Sequence, residues 1–442
     1  MQNNSFSINK FLKTKLYETN LLFYLNFLFI ASSLYLVVIG NYYIYDGFWT
    51  PLRSLYRAFS IEFWFLKPNQ ILNYVYDTVH NDSVKIIPSF LDYVVSIPFD
   101  YWNPRLSLLL GVLIWILCYV FFTRLLFRIF ELNHKNKQLL SILLAISFFS
   151  SPFYLIRFTT IGAIVKTLPV LCSILIATII FQKKIDYKLT RLDLTKIISL
   201  CLIGQFSFVS GNFLWINTYI FLIVKNFFAK KSVSNFKIYV FTFLFVISLI
   251  IYIATFNHLH IYELTVENIN TLISNKNPII TFLKYISFIS TSISVYFNGT
   301  YYFGWSFFII LSILNLLTLL FVFYKLISRK IYIFKKSLFF KISPLIYLIT
   351  FNLYGTFAAY IGRPPRYFEA RYFCENIILS FSLLMLLVFF LIKAEKIALV
   401  KKLISITILI SILNLLGLLS SAKKYVFSPK NNDLVADNHV EI

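Results

Sequence analysis

Long apolar runs alternate with short basic clusters along this chain, and that alternation predicts its architecture. The runs cover roughly 18–41, 106–130, 138–156, 165–182, 195–211, 212–229, 237–256, 303–325, 337–361, 376–394 and 402–420. Each approaches the about 20 residues an α-helix needs to cross a bilayer. One further apolar segment, 279–297, carries Ser287, Ser290, Thr291, Ser292 and Ser294. That polarity suits a helix lying at, or dipping into, an interface. The expected fold is all-α: a polytopic integral membrane helical bundle of about 11 spans, with about 10 to 13 compatible with the run boundaries.

The charges orient this arrangement. With the N-terminus in the cytoplasm, the segments 10–15, 124–137, 183–196, 225–237, 325–341 and 393–402 all face inward and hold 26 of the 41 Lys and Arg residues. Only 5 of the 18 acidic residues join them. An excess of Lys and Arg in cytoplasmic loops is the orienting signal of helical membrane proteins. Were 279–297 a full crossing, the basic 325–341 segment would move outside, so the outer interface is its expected place. The C-terminus then lies outside, and the expected location is a bacterial inner membrane.

Composition agrees. The chain is 59% hydrophobic and 13% charged, with a mean hydropathy of +0.76, whereas a soluble chain carries about 25% charged residues. A net charge of +23 could suggest nucleic acid, but the basic residues fall between apolar runs, so no nucleic-acid partner is expected. Cys118, Cys172 and Cys201 lie inside runs and Cys374 near the outer end of one. Their spacing fits neither a metal site nor a disulfide framework. Lys10, Lys13 and Lys15 precede an apolar stretch over 21–39, longer than the about 7–15 residues of a cleaved signal core, so a retained first span is expected.

Residues 1–420 therefore form one transmembrane domain, and 421–442 a polar, disordered tail. Within the domain, 42–105 is a long first outer loop. Leu55, Phe59, Phe63 and Leu66 recur there at helical spacing beside Arg53 and Arg57, with Trp49, Trp64 and Trp102 nearby. This is the pattern of amphipathic helices lying along lipid headgroups. A second outer loop, 257–278, carries His258 and His260, a weak start to a metal site without a third ligand. Asn298-Gly299-Thr300 is a sequon on the outer side, of little expected use in a bacterial chain. No Walker loop, zinc signature or serine elbow is present.

The candidate chemistry lies outside as well. Arg363, Arg366 and Arg371 crowd into the stretch Gly362-Arg363-Pro364-Pro365-Arg366-Tyr367-Phe368-Glu369-Ala370-Arg371-Tyr372. Arg presents a planar fork that grips phosphate bidentately; local carboxylates such as Glu375 are the competing partners. Asp46 follows the first run directly, and a carboxylate at the mouth of a membrane cavity can act as general base on a hydroxyl. Glu62 sits in an apolar setting that raises a carboxyl pKa.

These features together resemble the GT-C class of polytopic glycosyltransferases. The resemblance rests on an acid after the first span (Asp46), a long first outer loop (42–105), and a Gly362-Arg363 … Arg371-Tyr372 segment leading into an apolar span. A related group of bacterial membrane proteins shows a Phe-Ser … Asn-Gly … Trp pattern, here Phe206-Ser207 … Gly211-Asn212 … Trp215. The resemblance implies transfer of a sugar from a polyprenyl-phosphate carrier to a cell-envelope glycan or lipid acceptor. Asp46 would be the base with Glu62 in reserve, and Arg363, Arg366, Arg371 and Tyr372 would hold the phosphate. Asp46 is followed by Gly47 where the class often has a second acid, which leaves a divalent metal as an open cofactor. An O-antigen-type polysaccharide polymerase would share the phosphate site without needing Asp46. A transporter or flippase of a lipid-linked or anionic solute is the rival of another kind, although such proteins place charges at the bilayer midplane and show repeated halves.

Overall fold

The computed structural model describes residues 30–31, 79–80, 83–84, 86–96, 104–132, 134–149, 163–181, 187–228, 233–254, 336–362, 376–393 and 395–425, together with 310, 312–314, 316–317, 320–321 and 324. Among these residues the protein is a helical bundle, with one two-residue antiparallel ladder pairing Val79 with Val84 and His80 with Ser83. The helices are α1 (Ile86–Ser96), α2 (Pro104–Phe130), α3 (His134–Phe149), α4 (Ala163–Ile180), α5 (Arg191–Gln205), α6 (Asn212–Phe228), α7 (Asn235–Ala254), α8 (Lys336–Gly362), α9 (Ile377–Lys393) and α10 (Ile397–Tyr425). A short 3-10 turn, Val209–Gly211, joins α5 to α6. Helices α2 to α10 coincide with nine of the apolar runs; of the run at 18–41 only Ile30 and Ala31 are described, and of 303–325 nine residues, all helical.

Local chemistry accounts for the helix ends. At the start of α5 the Thr190 hydroxyl accepts the Asp193 N–H at 3.1 Å, and the Asp193 carboxylate accepts the Thr190 N–H at 2.8 Å. This reciprocal pair is a capping box, which satisfies donors the first turn leaves free. Helix α9 closes with a Schellman turn. Glu395 lies at φ 58°, its N–H donates to Ile392 O at 3.0 Å, and the Lys396 N–H reaches back to Leu391 O at 2.9 Å. The left-handed residue lets α10 begin at once.

The helices pack around one apolar core. Helix α2 lies along α4, α4 along α5, and α8 along α9. Trp115 and Trp215 are fully buried, as are Cys118 and Cys201. Trp115 spends its indole N–H on Phe148 O at 3.1 Å, which locks α2 to α3.

The exterior is apolar too. Ile216, Ile220, Ile223 and Phe227 are exposed along α6; Phe236, Tyr239, Phe243, Ile247 and Ile250 along α7; Ile406, Leu409, Ile412 and Leu416 along α10. Their spacing of three or four residues makes continuous apolar stripes on the outside of helices that are also apolar inside. Water-soluble monomers rarely expose contiguous apolar patches beyond a few hundred Å². Among the described residues one helix, over Leu108–Phe130, is by itself long and apolar enough to cross a bilayer. Lys137–Phe149, Ile164–Ile180, Asn235–Ile251 and Ile377–Lys393 are shorter apolar helices.

The bundle has two chemically different ends. At one, Lys225 donates to Ile180 O at 2.6 Å, Lys237 donates to Leu189 O, and Lys341 pairs with Glu131 at 3.0 Å. At the other lie the α5–α6 turn, α1, the C-terminus of α8 and the N-terminus of α9.

Candidate functional site

Asp46, Glu62, Arg363, Arg366, Arg371 and Tyr372 all lie outside the described residues, as do Arg53, Arg57, His258, His260 and the sequon Asn298–Thr300. The frame that carries them is described. Helix α8 ends at Gly362, the first residue of the arginine stretch, and the chain is described again from Asn376, four residues beyond Tyr372. The two flanks meet: the Thr356 hydroxyl donates to Asn376 Oδ1 at 3.4 Å. Both of these residues are buried, so α8 and α9, the helices on either side of the arginine stretch, are packed against each other.

Beside the C-terminal part of α8 sits the turn between α5 and α6. Two apolar runs that meet at residues 211 and 212 predict helices up to that junction. Instead α5 stops at Gln205, and six residues make a compact reversal. The Phe206 N–H bonds Leu202 O at 3.0 Å, the Ser207 N–H bonds Gly204 O at 3.2 Å, and the Gly211 N–H bonds Phe208 O at 2.8 Å. Contact between the two strands of the reversal requires glycine. A Cβ on Gly211 would lie 1.9 Å from Gly204 O, and one on Gly204 would lie 2.2 Å from Leu214 Cδ1.

Length shows why the reversal is set deep. Helices α5 and α6 have 15 and 17 residues, roughly 22 and 25 Å at 1.5 Å per residue. Both fall short of a hydrocarbon layer about 30 Å thick. Ser207 is fully buried, and the backbone is covered by α1, because the Ile87 N–H donates to Phe206 O at 3.1 Å. On its other flank a Cβ on Gly355 of α8 would touch Ser210 Cβ at 3.6 Å, and Phe213 stacks on Tyr354 with ring centroids 5.6 Å apart. Lys166 Nζ lies 5.5 Å from the centroid of the Phe208 ring. The turn is thus the point where the first loop and the anchors of the arginine stretch come together.

Below the turn runs a layer of buried polar side chains. Trp215 donates to Gln205 Oε1 at 2.8 Å, and Gln205 Nε2 donates to Ser248 O at 3.3 Å. Asn217 Nδ2 donates to Tyr347 O at 3.0 Å, Thr350 donates to Asn217 Oδ1 at 2.7 Å, and Thr218 and Tyr347 share a hydroxyl bond of 2.9 Å. The layer ties α5, α6, α7 and α8 in one register. Such satisfied networks rigidify a core, and they hold the turn in place. Gln205 and Asn217 are the signal in the sequence: amides inside apolar runs, whose partners lie up to 133 residues away.

The lysine-rich end contains a second cluster. Lys225 is 1% exposed and lies 5.6 Å from the Tyr187 ring centroid and 5.9 Å from that of Phe340. Tyr187 donates to Asp193 Oδ2 at 2.9 Å. Burial by itself would raise the Asp193 carboxyl pKa. Hydrogen bonds from the Thr190 N–H and hydroxyl and from Tyr187, with the charge of Lys196, outweigh it and hold the carboxyl below its usual range. These contacts close that end of the bundle.

No grouping of three or more His, Cys, Asp or Glu suited to a metal occurs among the described residues. No protein-family profile, curated protein or solved structure matches the chain.

Proposed function

We propose that this chain is a polytopic membrane glycosyltransferase of GT-C type. In this proposal it transfers a sugar from a polyprenyl-phosphate carrier to a cell-envelope glycan or lipid acceptor on the extracytoplasmic side. The observation that carries the proposal is the convergence at the α5–α6 turn. There α1 of the first loop bonds Phe206 O, while Gly355, seven residues before the arginine stretch, packs on Ser210 of the same turn. The described part of the first loop, α1, and the described flank of the arginine stretch, α8, thus meet at one end of the bundle, which supports a reading in which Asp46 and the arginines work together there. The apolar stripes on α6, α7 and α10 support embedding of the whole bundle, and with it the reading of about 11 spans, N-terminus inside.

In the mechanism, Arg363 and Arg366 grip the carrier phosphate from the bilayer side, with Arg371 and Tyr372 completing the site. Asp46 removes the proton of the acceptor hydroxyl, and Glu62 is the alternative base. As the sugar–phosphate bond breaks, negative charge builds on the leaving phosphate. Fixed guanidinium groups there lower the barrier because they need no reorganisation. A divalent metal would act, if bound, by sharing that charge.

Envelope glycan analysis of a deletion strain complemented with variants tests the proposal. Asp46→Asn is expected to abolish the modification and Arg363→Ala to weaken it. A fully active Asp46→Asn would overturn the base assignment and move the chain to the polymerase reading.

A further inference from the structure

An apolar cavity of about 220 Å³ opens between α3, α9 and α10, near the lysine-rich end and away from the α5–α6 turn. Its interior is made by Leu143, Leu384 and Val400, all buried, with Thr407 the one polar side chain in its wall. Its mouth is marked by Leu139 and Ile392, which are 42% and 48% exposed.

The surroundings of the mouth are cationic. Lys393 follows Ile392 directly, and Lys396 begins the turn into α10, the helix that carries Val400. Lys401 and Lys402 are exposed on the next turn, and Lys137 lies one helical turn before Leu140 of the cavity wall. The first turn of α10 has no acidic residue, so the positive pole of that helix is not neutralised there. Among the described residues, Glu131 is paired with Lys341, and Glu395 is the other acid on these turns, against Lys137, Lys393, Lys396, Lys401 and Lys402. An apolar slot with cations at its mouth matches one class of ligand: a chain of hydrocarbon attached to an anionic head.

We infer that this cavity takes an acyl chain of an anionic phospholipid from the leaflet at the lysine-rich end, with its phosphate held by Lys393, Lys396 and Lys137. The inference depends on the chain being membrane-embedded and is independent of the sugar chemistry. Basic pockets between membrane helices on the cytoplasmic side suit anionic lipid heads, and burying methylenes supplies the remaining attraction. The bound lipid ties α3 to the α9–α10 hairpin.

The test is thermal unfolding of the full chain in maltoside detergent, with added dioleoyl phosphatidylglycerol, dioleoyl phosphatidylcholine or inorganic phosphate. Phosphatidylglycerol is expected to raise the midpoint at about tenfold lower concentration than phosphatidylcholine, and inorganic phosphate to leave it unchanged. The double variant Lys393→Gln/Lys396→Gln, altered only at exposed positions, should lose this preference. Leu140→Trp, which fills the slot, should lose stabilisation by either lipid. Equal response to both lipids, retention of the preference in the lysine variant, or protection by inorganic phosphate alone would overturn the lipid site. Recovery of a folded, monodisperse chain without detergent would overturn the membrane reading itself, a separate outcome.

Discussion

Trp215 donates its indole N–H to Gln205 Oε1 at 2.8 Å, so the first turn of α6 is bonded to the last residue of α5 across the reversal. Both side chains are fully buried, and the bond fixes how deeply the turn sits. Replacing Gln205 by Leu leaves the Trp215 N–H and the Ser248 hydroxyl in an apolar layer without that acceptor. A buried polar group so orphaned costs about 1–3 kcal/mol. Gln205→Leu should lower the unfolding midpoint accordingly, whereas the surface change Lys402→Gln should leave it in place.

Gly211 has no room for a side chain. A Cβ there would overlap Gly204 O at 1.9 Å, and that neighbour is backbone, which cannot rotate away. Gly211→Ala is therefore expected to destabilise by about 1–3 kcal/mol or more, the range for overpacking. Because the turn joins the first loop to the anchors of the arginine stretch, glycan modification should fall with it. A variant of wild-type stability would show that the two glycines do not touch.

At the α9–α10 turn the effect has the opposite sign. Glu395 occupies the left-handed region at φ 58°, where a Cβ costs roughly 1–2 kcal/mol. Glycine adopts that conformation freely. Glu395→Gly should raise stability by about 1 kcal/mol, read as an increased midpoint with an unchanged helical circular dichroism signal.

Asp193 gives a pH dependence. Its folded carboxyl is held below the unfolded value by the Thr190 and Tyr187 hydrogen bonds and by Lys196. Its contribution is therefore fully present above the unfolded carboxylate pKa and is lost as the pH falls through the folded one. Unfolding midpoints of wild type and Asp193→Asn should differ by an amount worth about 1 kcal/mol at pH 7, typical of a lost cap, and converge at acidic pH. A gap that stays constant down to acidic pH would contradict the assignment.

Much of the helical frame is legible in the apolar runs because a helix satisfies its own backbone groups wherever the side chains are apolar. The run over 106–130 becomes α2 with its ends at Pro104 and Phe130, and 376–394 becomes α9. The reversal is less legible. The apolar run continues through Phe206, Phe208 and Val209, and hydropathy does not distinguish a helix from a compact turn of the same composition. What breaks the helix is the contact of Gly204 with Gly211, a steric event invisible to any average. Gln205, Ser248 and Asn217 likewise look like isolated polar residues until folding brings their partners to them. The candidate chemistry, Asp46 and the arginine triad, is read from residue types alone and lies outside the described residues; residue type does not tell the mutual placement of two distant segments.

That mutual placement is the central claim, and cross-linking in intact cells tests it directly. In a Cys374→Ser background, Asp46→Cys and Arg366→Cys are introduced together and treated with a short, membrane-impermeant bismaleimide. Cys118, Cys172 and Cys201 are buried and remain unlabelled. The account predicts an intramolecular cross-link formed from outside the cell and absent from either single variant. Both cysteines reacting from outside without linking, or reacting only after lysis, would contradict a shared extracytoplasmic pocket.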